Sequence, residues 1–426
     1  MSAGRAPGPE TEEPDGGPGQ SVAPTPPQPG SRYRWFAVAI VVAVAVSTVA
    51  VGESTGWSFF HPGAAGSGPF PSQTCVGVPY FASAYLTAVV SSGSGLGWSS
   101  AFQELGGSFS NWSGLCAHVN VSVSTGDGYV PDLAAKGPFF AVSGAPPNLT
   151  DRAVLGARVT VLPALLAAVD IVYNAAGLPS NLRLSGSVLA GIYEGTITSW
   201  ASPRIAELNP GVDLPTTPAI VPVYRSAATN SNLAFTTFLA ESNVTWNRTV
   251  GDGASVSWPT GVGTTGPVAM ANEIASTPGA VGYLEGLDAR TAGVLNATLL
   301  NPAGAYVAPT PENTTDAAAG VAGLPAVADL NWSNLTSGIS FVDAPGTGSY
   351  PVVELAYVSL YQDLGKAYAG TLSAPNASWL LTYLWWSVSD AATSERSLGL
   401  APLPSSFEGL AQRLLATEAY DGTLLI

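Results

Sequence analysis

Five β-type apolar runs, YLTAVV (85–90), HVNVSVS (118–124), FFAVS (139–143), VTVLPALLAAVDIVY (159–173) and VVELAYVSLY (352–361), alternate along this chain with helical patterns such as SSAFQEL, NLAFTTFLAE and PVAMANEIAS. A chain that mixes strand-forming and helix-forming segments in this way buries both kinds of apolar face by layering helices on a sheet, so the pattern predicts an α/β fold. With 426 residues, 46% of them hydrophobic, the chain is long enough for two domains of ordinary size plus extra segments. It shows no internal repeat.

Within residues 184–239 an arginine and three small polar residues stand just before an apolar helical pattern. Arg225, Thr229, Asn230 and Ser231 supply a guanidinium fork, two hydroxyls and backbone N–H groups at a helix N-terminus, where the macrodipole also favours negative charge. That set predicts a binding site for a small oxyanion.

The blocks LAGIYEGTITSWASPRIAELNPGVDLP (189–215), IVPVYRS (220–226), TPGAVGYLE (277–285), YPVV (350–353) and GLAPLP (399–404) follow one another in an order and spacing that resembles the periplasmic phosphate-binding protein of the phosphate ABC transporter. The resemblance covers roughly residues 85–415. It implies a two-lobed periplasmic-binding-protein-like fold with the ligand in a cleft between lobes, the first made of residues 79–165 and 350–426 and the second of 166–349. It also implies phosphate or a related oxyanion as ligand, an ABC permease as partner and no cofactor.

The family's binding loops have counterparts here. In the first, Gly93, Ser94 and Gly95 take the glycine positions, with Gly97 and Trp98 where the family has Thr and Phe. In the second, STGDG (124–128), Thr125 replaces a serine donor and Asp127 brings in a carboxylate that would repel an anion. In the third, AVSGAP (141–146), Ser143 is kept, but Gly144 stands where the family has an aspartate that accepts a proton from phosphate and so discriminates against sulfate. In the fourth, RSAATNSN (225–232), Arg225, Thr229 and Ser231 are kept, Ala227 replaces an aspartate that would orient the arginine, and Asn230 replaces a glycine. Lacking that aspartate, Arg225 is expected to face the ligand or solvent.

The N-terminal residues 1–31 are rich in Pro and Gly and read as a disordered cytoplasmic tail. Residues 32–52 contain an uncharged apolar run from Trp35 to Gly52 behind Arg32 and Arg34. This predicts a single transmembrane anchor with the body outside, a cleaved signal peptide being the competing reading. Residues 53–78 then read as a stalk, which gives a membrane-anchored protein with an extracellular binding domain. The sequons beginning at Asn111, Asn120, Asn148, Asn243, Asn247, Asn296, Asn313, Asn331, Asn334 and Asn376 all lie after the anchor and suggest a glycosylated exterior. Cys75 and Cys116, both on that side, predict a disulfide.

Only 10% of residues are charged and the net charge is -15, which argues against nucleic acid as a partner. Two histidines, His61 and His118, leave almost no material for a catalytic triad or a histidine metal site, and no Walker sequence occurs. Carboxylates such as Glu194, Glu285 and Asp288 are expected on a solvated surface rather than in an acid/base pair. The sequence therefore predicts a solute-binding protein rather than an enzyme. The alternative is a surface or sensory protein that keeps this fold and has lost or changed its ligand.

Overall fold

The computed structural model describes residues 84–90, 96–124, 128–156, 158–321 and 341–426. The tail, the anchor, the stalk, Cys75, the loop residues Gly93, Ser94 and Gly95, Thr125 and Asp127 lie outside the described residues. No helix among the described residues is long and apolar enough to cross a membrane.

The strands, numbered in chain order, are β1 (Ala84–Val90), β2 (Ala117–Val123), β3 (Phe140–Ser143), β4 (Val159–Asn174), β5 (Arg183–Leu184), β6 (Val221–Arg225), β7 (Val262–Thr264), β8 (Ala280–Glu285), β9 (Leu295–Asn296), β10 (Thr298–Leu300), β11 (Tyr306–Val307), β12 (Val353–Tyr361), β13 (Ala419–Tyr420) and β14 (Thr423–Leu424). The five apolar runs of the sequence form β1, β2, β3, β4 and β12. The main sheet runs β2-β1-β3-β12-β4-β8-β6-β7, with β9 also on β4. Strands β5, β10 and β11 make a small separate sheet, and β13 and β14 a hairpin. Its turn, Asp421-Gly422, has φ of 50° and 83°, the pair of positive values that a tight two-residue hairpin demands.

Strand β4 organises this sheet because it changes partner along its length. Residues Val159 to Ala168 pair antiparallel with β12, and Val169 to Asn174 pair antiparallel with β8. One strand thus carries the chain from the β1-β2-β3-β12 half to the β8-β6-β7 half, and the α/β fold is two-lobed. Pro163 lacks an N–H for the ladder, yet it lies inside β4; the register shift opposite Ala356 and Tyr357 accommodates it.

All of β12 and nearly all of β4 are buried, as expected of strands covered on both faces. The covering helix Ser405–Leu415 shows how the sequence achieves this. Phe407, Leu410, Ala411, Leu414 and Leu415 recur at helical spacing and are its buried residues, packed over β4. Each large apolar side chain so buried contributes about 1.5–3 kcal/mol.

Candidate binding site

The site is built where β6 ends and the helix Asn230–Ser242 begins. Thr229 is the helix N-cap: its backbone is extended and its Oγ1 accepts the N–H of Asn232 at 3.0 Å. The first turn carries no acidic residue of its own. Its positive end is therefore not neutralised by the helix itself. Asn232, fully buried, ties the incoming loop by donating to the carbonyls of Arg225, Ala227 and Ala254, each at 3.0 Å. Its Oδ1 accepts the Tyr283 hydroxyl, whose oxygen in turn accepts the Arg225 N–H at 3.1 Å. Phe235, one turn further along the helix, stacks on Tyr283 at 4.5 Å. Aromatic packing and a polar chain together hold the arginine-bearing strand end to the helix start.

Arg225 is only 3% exposed and Glu285, at the end of β8, 4%. Arg225 Nη1 lies 3.5 Å from each Glu285 carboxylate oxygen, and the Ser231 hydroxyl donates to Glu285 Oε1 at 2.9 Å. This corrects the expectation that Arg225 is left without a carboxylate: Glu285 supplies from β8 what Ala227 cannot. It also corrects the expected surface placement of Glu285 and Asp288. Glu285 is buried and Asp288 half-buried, and burial together with the Glu285 charge pushes the Asp288 carboxyl up to about 7. Glu354 on β12 and Asp170 on β4 are buried beside them and held well above the usual carboxylate range, first by desolvation and then by Glu285. Asn296 Nδ2 donates to Asp170 Oδ2 at 3.1 Å. Sequence reasoning passed over Asp170 and Glu354 as site neighbours. The available signal was a lone carboxylate inside each of two otherwise uncharged strand runs.

The other predicted loop residues are placed as follows. Gly144 follows β3 and faces Asn230 so closely that a Cβ on Gly144 would stand 1.9 Å from Asn230 Nδ2. Ser143 is buried, and its hydroxyl donates within its own loop to the Ala145 carbonyl at 2.6 Å. Gly97 lies in the first turn of the helix Leu96–Trp112, and Trp98, next along, is 1% exposed in the core. Among the described residues, then, Arg225, Thr229, Asn230 and Ser231 converge, with the Ser143–Gly144 loop against Asn230. His118 is a structural side chain, with Nδ1 3.0 Å from Ser110 Oγ and its ring stacked on Tyr85. Cys116 is buried and is not a free thiol.

The Arg225 fork, the Thr229 and Ser231 hydroxyls and the helix start, with Glu285 held among them and the glycine loop alongside, form a donor set of the kind that holds a small oxyanion. Comparison with known proteins points the same way. The model of the PBP superfamily domain matches residues 115–391. The phosphate-binding protein PstS of Methanocaldococcus jannaschii is 31% identical over 305 residues, covering 67% of this chain and 75% of that protein. PstS of Pasteurella multocida is 29% identical over 271 residues, covering 63% and 73%. In fold, the chain is similar to the ancestral soluble variant of the human phosphate-binding protein, with a TM-score of 0.59 at 18% identity over 79% of this chain and 96% of that one. It is likewise similar to a high-affinity periplasmic phosphate-binding protein solved with phosphate, with a TM-score of 0.56 at 19% identity over 78% and 95%. With that superfamily match and that archaeal relative, the chain belongs to the PBP superfamily, in the family of phosphate-binding proteins called PstS.

Proposed function

We propose that this protein is a solute-binding protein that captures phosphate or a closely related oxyanion and delivers it to an ABC permease. The observation that carries the reading is the convergence of Arg225, Thr229 and Ser231 at the start of a 13-residue helix, opposite the Gly144 loop. A tetrahedral oxyanion is complementary in charge to that donor set. The relatives' names support phosphate as the first anion to test.

The finer parts of the reading are these. Lobe I comprises 79–165 and 350–426 and lobe II 166–349, with the ligand between them; the partner change along β4 supports this division. Residues 32–52 anchor the chain with the binding domain outside, supported by the uncharged run behind Arg32 and Arg34. Cys116 pairs with Cys75, supported by the absence of a free thiol at Cys116. Isothermal titration of the phosphate-free full chain with phosphate, and then sulfate, tests the central claim. Saturable binding lost in Arg225→Ala supports it; no heat with either anion from folded protein refutes it.

A further inference from the structure

Glu285 already engages the donors that an incoming oxyanion would use. Its carboxylate holds Arg225 Nη1 and accepts the Ser231 hydroxyl. Two more carboxyl groups come from neighbouring elements, Asp288 in the short helix Gly286–Ala292 and Glu354 on β12, while Asp170 on β4 faces the other side of the sheet toward Asn296. Both Glu354 carboxyl oxygens, Asp170 Oδ1, Asp288 Oδ2 and Arg225 Nε have no hydrogen-bond partner, and Glu354 and Asp170 are 5% and 2% exposed. Tyr283 and Tyr350 complete the titratable neighbours, and both phenols are engaged, Tyr350 donating to the Val169 carbonyl at 3.0 Å. Among the described residues Arg225 is the cation that acts on Asp288 and Glu354.

One guanidinium does not balance the buried Glu285 and Glu354 together with the half-buried Asp288, so Glu354 and Asp288 retain protons. An added anion increases the negative charge beside it and must be offset. We infer that oxyanion capture at Arg225 is coupled to proton uptake by the Asp288 and Glu354 carboxyls, the anion displacing Glu285, the internal competitor, from Arg225 and Ser231. The step moves a proton from solvent onto a carboxylate oxygen and changes no other covalent bond. Affinity therefore rises as pH falls; the Asp288 value of about 7 places the change near neutrality. This inference rests on the oxyanion reading above.

The test is titration of the full chain with phosphate near pH 7 in two buffers of different ionisation enthalpy, which counts protons taken up per anion bound. Phosphate's own titration contributes equally to every variant. The wild type is expected to take up on the order of one proton more than Asp288→Asn or Glu354→Gln, and both variants to lose most of the affinity change between about pH 5 and pH 8. Equal proton counts in all three, with folding verified by circular dichroism, overturn the coupling while leaving the binding reading intact. Should both variants fail to fold, Glu285→Gln decides: tighter phosphate binding than wild type near pH 8 supports competition, and weaker binding overturns it. A wild type that binds neither phosphate nor sulfate at either pH overturns the oxyanion reading and the coupling with it.

Discussion

Asn230 fills the space that a side chain on Gly144 would occupy: a Cβ built there meets Asn230 Nδ2 at 1.9 Å, Cγ at 2.7 Å and Cβ at 3.1 Å. The family pattern has an aspartate where Gly144 stands and a glycine where Asn230 stands. The two departures are therefore one exchange, in which the polar group is supplied by the helix start instead of the opposing loop. An amide offers both a donor and an acceptor, whereas an ionised carboxylate only accepts.

The exchange predicts strong coupling. Gly144→Ala alone should destabilise the protein by about 1–3 kcal/mol, because Asn230 must move from a packed position. In an Asn230→Gly background the same change should be nearly neutral, leaving an interaction energy of about 1 kcal/mol or more in a double-mutant cycle by urea denaturation. Additive effects would show that the two residues do not share this space. For the same reason Gly144→Asp is a fair test of ligand preference only together with Asn230→Gly; that pair should favour phosphate over sulfate more than the wild type does.

Arg225→Ala should abolish oxyanion binding and also destabilise the fold near neutral pH by about 3–5 kcal/mol, since Glu285 is then buried without its cation. Urea denaturation checks this; an Arg225→Ala protein as stable as the wild type would argue against the buried pair as a source of stability.

Thr229→Ala removes the oxygen that accepts the Asn232 N–H, and Tyr283→Phe removes the hydroxyl between the Arg225 N–H and Asn232 Oδ1. The first should cost about 1 kcal/mol and the second about 1–3 kcal/mol, because a buried donor and a buried acceptor lose their partner. Chemical denaturation measures both.

Stability should be greatest on the acid side. Burial raises the carboxyls of Asp288 and Asp343 to about 7 and Glu395 to about 8, and Asp170, Glu354 and Glu418 well above their ordinary range. Groups with raised folded pKa values bind protons more tightly when folded, so their contribution is complete below about pH 4, the unfolded carboxyl range, and is lost as pH rises toward 8. The pair Asp363–Lys366 acts in the opposite sense but is at the surface and screened. A melting temperature that falls from about pH 5 to pH 8 is expected; one that rises would contradict the placement of these acids.

Local pattern was enough to read β1, β2, β3, β4 and β12 of the main sheet and the start of the Asn230–Ser242 helix. Strand periodicity, an N-cap threonine and an arginine at a strand end act over a few residues, and the sequence displays them directly. Even the swapped glycine and asparagine were visible as separate departures from the family. What tertiary structure decided is how distant residues meet. Arg225 and Glu285 are 60 positions apart, and only the parallel pairing of β6 with β8 sets them face to face. Glu354 joins them because β4 pairs with β12 along one half and with β8 along the other. Sequence alone determined an α/β frame with an arginine and an N-cap threonine at a helix start; the shared strand, by burying Glu285 and Glu354 with Arg225, decided its electrostatics.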